Sequence, residues 1–110
     1  MVRSQNLTKK YIQKIVKRIA AQFQPDKIIL FGSHARGRAG PDSDVDLLVV
    51  MPVSGSRREK AIEIAVTLHD IPIAKDVILV TPDDFKWRSK VVGTIERPAA
   101  HEGKLLYARK

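Results

Sequence analysis

Apolar residues in the first segment, Leu7, Tyr11, Ile12, Ile15, Val16, Ile19, Ala20 and Phe23, recur at steps of three and four. That spacing predicts one helix laying a single stripe on a core. Ser4 or Asn6 offers a cap at its start, and Pro25 marks its end. Lys27-Ile28-Ile29-Leu30-Phe31 is a short apolar run that reads as a buried strand. Gly32 to Pro41 holds Gly32, Gly37, Gly40 and Pro41 and predicts a loop, with room for one helical turn. Val45 to Met51 is a second strand, introduced by Asp-Ser-Asp. Ser54 or Ser56 caps a helix from about Arg57 to His69, whose apolar set is Ala61, Ile62, Ala65, Val66 and Leu68. Asp76 to Val80 is a third strand. Thr81-Pro82-Asp83-Asp84 combines a capping hydroxyl, a first-turn proline and two acids, so it predicts a helix start. That helix would carry Phe85, Val91, Val92 and Ile95. From Arg97 to Lys110 the pattern leaves a further short helix or an extended tail open. The order of elements predicts an α/β (α+β) fold, one small mixed β-sheet flanked by helices, with residues 1–110 forming one domain.

Composition narrows the class. Hydrophobic residues make up 44% and charged residues 29% of the 110, the balance of an ordinary globular chain rather than a disordered one. No apolar run approaches the roughly 18–20 residues of a membrane span. Met1 to Lys10 is polar and no apolar segment of a signal peptide follows it, so the expected location is cytoplasmic. The absence of cysteine excludes disulfides and thiolate zinc sites. His34, His69 and His101 are scattered and give no paired-histidine zinc site. The formal charge of +8 favours an anionic partner: nucleotide, nucleic acid or an acidic protein surface. The basic groups (Lys9, Lys10, Lys14, Lys17 and Arg18; Arg57, Arg58 and Lys60; Lys86, Arg88 and Lys90) fall on the polar sides of predicted helices. Solvated faces explain them, and no interleaved aromatics mark a nucleic-acid surface.

The chemistry concentrates in Phe31-Gly32-Ser33-His34-Ala35-Arg36-Gly37 and in Ser43-Asp44-Val45-Asp46-Leu47. Residues two apart on a strand share a face, so Asp44 and Asp46 project together. Paired carboxylates repel, and a divalent cation relieves that repulsion. Asp76 brings a third oxygen donor if the second and third strands are neighbours. Three carboxylates suffice for two magnesium ions when the substrate supplies further oxygens. Gly32 lets the backbone approach a ligand, and Ser33 adds a hydroxyl and an N–H. A helical turn beginning there would aim free N–H groups at a phosphate. Arg36 or Arg38 could add a charge-assisted bond to the same anion. Blander roles fit other residues: Asp42 in a turn, Asp70 at a helix end beside Pro72, His34 as a bystander, and Trp87 and Tyr107 in packing or an interface.

Gly-Ser-x-Ala-Arg-Gly followed by Ser-Asp-x-Asp-Leu resembles the signature of the DNA polymerase β-type nucleotidyltransferase superfamily. The short chain is similar to the minimal nucleotidyltransferases (MNT) of bacteria and archaea. The likeness spans about Ile28 to Val80 and extends more weakly to Glu102–Tyr107. The resemblance implies that Gly32 and Ser33 bind the triphosphate; Arg36, in the same stretch, is either a further nucleotide contact or part of a surface salt bridge. The resemblance also implies that Asp44, Asp46 and Asp76 are the catalytic, metal-binding carboxylates, holding two Mg2+ ions with ATP as substrate. It further implies transfer of a nucleoside monophosphate, AMP above all, to a hydroxyl of a partner protein. MNT proteins pair with all-helical HEPN proteins as antitoxins of toxin–antitoxin modules. Arg97 and His101 are too close for the arginine-x4–6-histidine motif of a HEPN protein, so this chain would be the MNT half. An antitoxin that masks its partner without catalysis, and a basic RNA-binding protein, are the alternatives.

Overall fold

The computed structural model describes residues 2–40 and 43–109. Helix α1 (Val2–Phe23) leads into β1 (Lys27–Phe31), followed by β2 (Val45–Val50), α2 (Arg57–Thr67), β3 (Lys75–Val80), α3 (Pro82–Arg88), α4 (Glu96–Glu102) and β4 (Lys104–Ala108). The strands form one mixed sheet in the order β3-β2-β1-β4. β1 is antiparallel to both β2 and β4, whereas β2 and β3 run parallel.

The pleat divides the core in two. Ile28, Leu30, Val45, Leu47, Val49 and Leu79 face Ile15 and Ile19 of α1 and Ile64 and Leu68 at α2. Ile29, Leu48, Val50 and Val80 face the other way, where Ala99 of α4 and Phe85 of α3 cover them. Helices on both faces explain why β1 and β2 read as continuous apolar runs rather than as alternating ones. Arg18 fastens the first layer: it pairs with Asp70 and donates to the Thr67 carbonyl at 2.9 Å. Its hydrogen bond holds the Asp70 carboxyl below the usual range, so the structural role expected for Asp70 is the observed one. Among the described residues no helix is long and apolar enough to cross a membrane.

Several boundaries differ from expectation. α1 begins at Val2, ahead of Ser4 and Asn6, and Leu7 is half exposed rather than part of the stripe. The buried face of α2 is Ala61, Ile64 and Leu68, at steps of three and four, which leaves Ile62 and Val66 in solvent. Ser56 caps α2, accepting from the Glu59 amide at 3.1 Å, and Thr81 caps α3. The helix expected to carry Val91, Val92 and Ile95 stops at Arg88. The Thr94 hydroxyl donates to the Arg88 carbonyl at 2.7 Å and draws the chain into a turn, leaving those three residues exposed. The tail forms the short helix left open, α4, and then an edge strand, β4, in place of an extended tail. The turn reading of Asp42 lies outside the described residues.

Gly103 sets the join between α4 and β4. A β-carbon there would collide with the Ala99 carbonyl oxygen and the Ile29 side chain. Gly103→Ala is therefore expected to destabilise by about 1–3 kcal/mol, as overpacking does. Thermal unfolding by circular dichroism should show a drop of roughly 4–8 °C per kcal/mol; an unchanged midpoint would contradict this packing.

Candidate functional site

The register of three strands places the carboxylates. Asp46 of β2 lies opposite Phe31 of β1 and opposite Asp76 of β3. The condition on Asp76, that β2 and β3 be neighbours, is thus met. Leu47 and Val45 point into the α1–α2 layer, so Asp46 projects from the other face, with Asp44 two residues earlier. Asp44 and Asp76 are exposed and Asp46 is half buried.

Gly32 ends β1 with φ +76°, a left-handed conformation that glycine adopts without strain. The space a β-carbon would take there is filled by the Asp46 carboxylate. The chain then makes one helical turn, as the loop reading allowed. The Arg36 amide donates to the Gly32 carbonyl at 3.2 Å and the Arg38 amide to Ser33 at 2.9 Å. Ala35 is buried and anchors the turn in the core. Among the described residues the Ser33, His34 and Ala35 amides have no backbone acceptor. They are the free N–H groups of a helix start, suited to an anion.

His34, read as a bystander in sequence, ties this turn to β2. Its Nε2 lies 3.1 Å from the Ser43 carbonyl, and the Ser43 hydroxyl accepts from the Gly40 amide at 2.9 Å. These bonds hold the segment leading into Asp44. Only tertiary placement could reveal them, since a histidine in a glycine-rich loop carries no distinguishing pattern. Arg36 makes a 3.6 Å ion pair with Glu102 of α4, with both side chains about half exposed. Such pairs are worth about 0–1 kcal/mol, so its guanidinium is readily recruited elsewhere.

The electrostatics of the site centre on Asp46. Its carboxyl is pushed above the usual aspartate range, first by desolvation and then by the Asp76 and Asp44 charges, while His34 acts in the opposite direction. The three acids thus feel one another, yet among the described residues no three acid or histidine side chains close into a ligand set. Hard oxygen donors in an electronegative, partly open position suit a magnesium-like cation with waters and phosphate oxygens completing its shell. The acids lie on an open sheet end. A groove of ≈ 490 Å³ beside α2 reaches Asp76, and a larger one of ≈ 700 Å³ between α1 and β4 is lined by different residues altogether.

Residues 12–102 match the family model of the nucleotidyltransferase domain. Among curated proteins, none matches the chain. Two solved structures share the fold. A "putative nucleotidyltransferase" from Sulfolobus solfataricus superposes with a TM-score of 0.69 at 22% identity, over 98% of this chain and 86% of that one. A toxin–antitoxin crystallised with AMP-PNP superposes with a TM-score of 0.53 at 20% identity, over 89% of this chain and 74% of that one.

The raised Asp46 pKa has a consequence for stability. Because the folded-state value exceeds the unfolded one, folding is penalised as pH rises from 3.8 through the folded-state value, and the penalty persists at neutral pH. Without divalent cations, Asp46→Asn should therefore melt above wild type at pH 7. The gap should close as pH falls well below 3.8, where Asp46 is protonated whether the chain is folded or not. Melting curves at the two pH values decide it; a variant that is less stable at pH 7 contradicts the strain.

Proposed function

We propose that this chain, which belongs to the nucleotidyltransferase domain family, transfers a nucleoside monophosphate from ATP to a hydroxyl group of a partner protein. The observation that carries the reading is the single point at which Gly32 abuts the Asp46 carboxylate while Asp46 pairs in register with Asp76. The free amides of the turn after Gly32 and an Asp46 carboxylate that feels the Asp76 and Asp44 charges share this end of the sheet, which supports nucleotidyl transfer.

In this reading the Ser33 hydroxyl and the free amides of Ser33, His34 and Ala35 hold the triphosphate, with Arg36 adding charge. Asp44, Asp46 and Asp76 would hold two Mg2+ ions, which supply Lewis-acid stabilisation of the charge that develops on phosphate. The acceptor oxygen bonds to the α-phosphorus as the bond from that phosphorus to the α–β bridging oxygen breaks. Pyrophosphate departs, the hydroxyl proton passes to solvent, and the monophosphate stays on the acceptor. The chain's residues orient this in-line displacement and need contribute no covalent intermediate.

The open position of the acids supports a macromolecular acceptor, because a partner's surface can close the site. The structural likeness to a toxin–antitoxin crystallised with AMP-PNP supports a toxin as that partner, with this chain as the antitoxin; the HEPN type of that toxin follows from the resemblance of the sequence motif to MNT proteins.

Two outcomes are expected. Mg2+ and ATP together should raise the melting temperature, since a ligand at a hundred times its Kd adds about 2.7 kcal/mol. No shift at millimolar ATP contradicts a nucleotide site. Label from α-phosphate-labelled ATP should pass to the protein encoded by the adjacent gene, and Asp44→Asn should reduce that transfer by orders of magnitude. A stable complex without label would instead favour an antitoxin acting by masking alone.

A further inference from the structure

The net charge of +8 is not spread over the molecule. Residues 1–25 and 103–110 hold nine of the 20 Lys and Arg residues and none of the 12 Asp and Glu. The residues between them, which include the carboxylate site, carry eleven cations against twelve acids. The entire positive excess thus belongs to α1, β4 and their flanks. Those two elements enclose the ≈ 700 Å³ groove, lined by Lys10, Lys14, Lys17 and Val16 from α1 and by Leu105 and Leu106 from β4.

β4 is the outer strand of the sheet and pairs with β1 on one side. Its other edge offers backbone N–H and C=O groups to a further strand. Leu105 on that strand is 57% exposed and offers an apolar contact point at the sheet edge. Lys10, Lys14 and Lys17 succeed one another at about 6 and 4.5 Å along the helix axis. Side chains on one face of an extended strand repeat at about 6.6–6.8 Å, close enough for flexible lysines to meet alternate residues.

We propose that the groove between α1 and β4 receives an extended acidic segment of a partner protein, added as a fifth strand to the free edge of β4. Carboxylates on one face of that segment meet the three lysines. Apolar side chains on its opposite face lie beside Leu105, which pairs with Ile29 and so faces away from α1. Among the described residues no aromatic side chain lines the groove to stack a base, which disfavours single-stranded nucleic acid. A second copy of this chain would bring like charge against like. The surface is separate from the carboxylate site and stands whether or not transfer occurs there.

Fluorescence anisotropy on the full chain tests this with a labelled peptide of about eight residues alternating Glu and Val, a length typical of strands. The peptide should bind at low salt and weaken as salt rises. The combined Lys10→Glu, Lys14→Glu and Lys17→Glu variant should bind it at least roughly tenfold more weakly and gain affinity for a Lys–Val peptide, by reversal of the charge pairing. In the wild type, hydrogen exchange at Lys104–Ala108 should slow on peptide binding, a readout that does not depend on the variant folding. No binding at millimolar peptide, binding without slowed exchange in β4, or tighter binding of a uridine oligonucleotide than of the peptide would each overturn the proposal.

Discussion

The register that sets Phe31, Asp46 and Asp76 in one row across β1, β2 and β3 is the constraint on which the candidate site depends. It cannot drift. Because strand side chains alternate, a slip of one residue would turn Leu47 and Val49 out of the α1–α2 layer and Asp46 into it. The buried residues of β2 on both faces therefore fix the position of a carboxylate that is itself unfavourable there. Gly32 completes the constraint. Any larger residue would displace the Asp46 side chain and strain a left-handed backbone at the same time.

Around this row the molecule divides its labour. One face of the sheet carries α1 and α2, clamped by Arg18 and Asp70, and supplies rigidity. The other is covered by α3 and α4, and α4 ends beside the site, where Glu102 reaches Arg36. The acids themselves stay at the open margin, where desolvation and like charge raise the Asp46 pKa. Under the proposed function, the stability given up there would be regained on binding cation and nucleotide, the stability–function trade expected of a preorganised centre.

Much of this was legible in sequence because the decisive features are local. Gly32-Ser33 follows an apolar run, and Asp44-x-Asp46 precedes another, so strand alternation alone puts both acids on one face. Asp76 needed one tertiary fact, the parallel pairing of β2 with β3. The misread parts are those where apolar residues do not mark a core. Val91, Val92 and Ile95 continue a helical rhythm past Arg88, yet the Thr94 hydroxyl and Gly93, at φ +95°, turn the chain away. Ile62 and Val66 outnumber Ile64 in a simple reading of α2, although only the 61–64–68 stripe reaches the sheet. β4 is five residues with no clean alternation, and its identity as a strand comes from β1 beside it. The tie between His34 and Ser43 likewise exists only once the loop has folded.

As proposed, Asp44, Asp46 and Asp76 form a cation site that nucleotide completes. Electron paramagnetic resonance of Mn2+ in the presence of a non-hydrolysable ATP analogue addresses it directly. The wild-type chain should take up Mn2+ beyond the ion the nucleotide carries alone, and Asp46→Asn should abolish this additional uptake while remaining folded. Equal Mn2+ uptake by wild type and variant, or none by either, would contradict it.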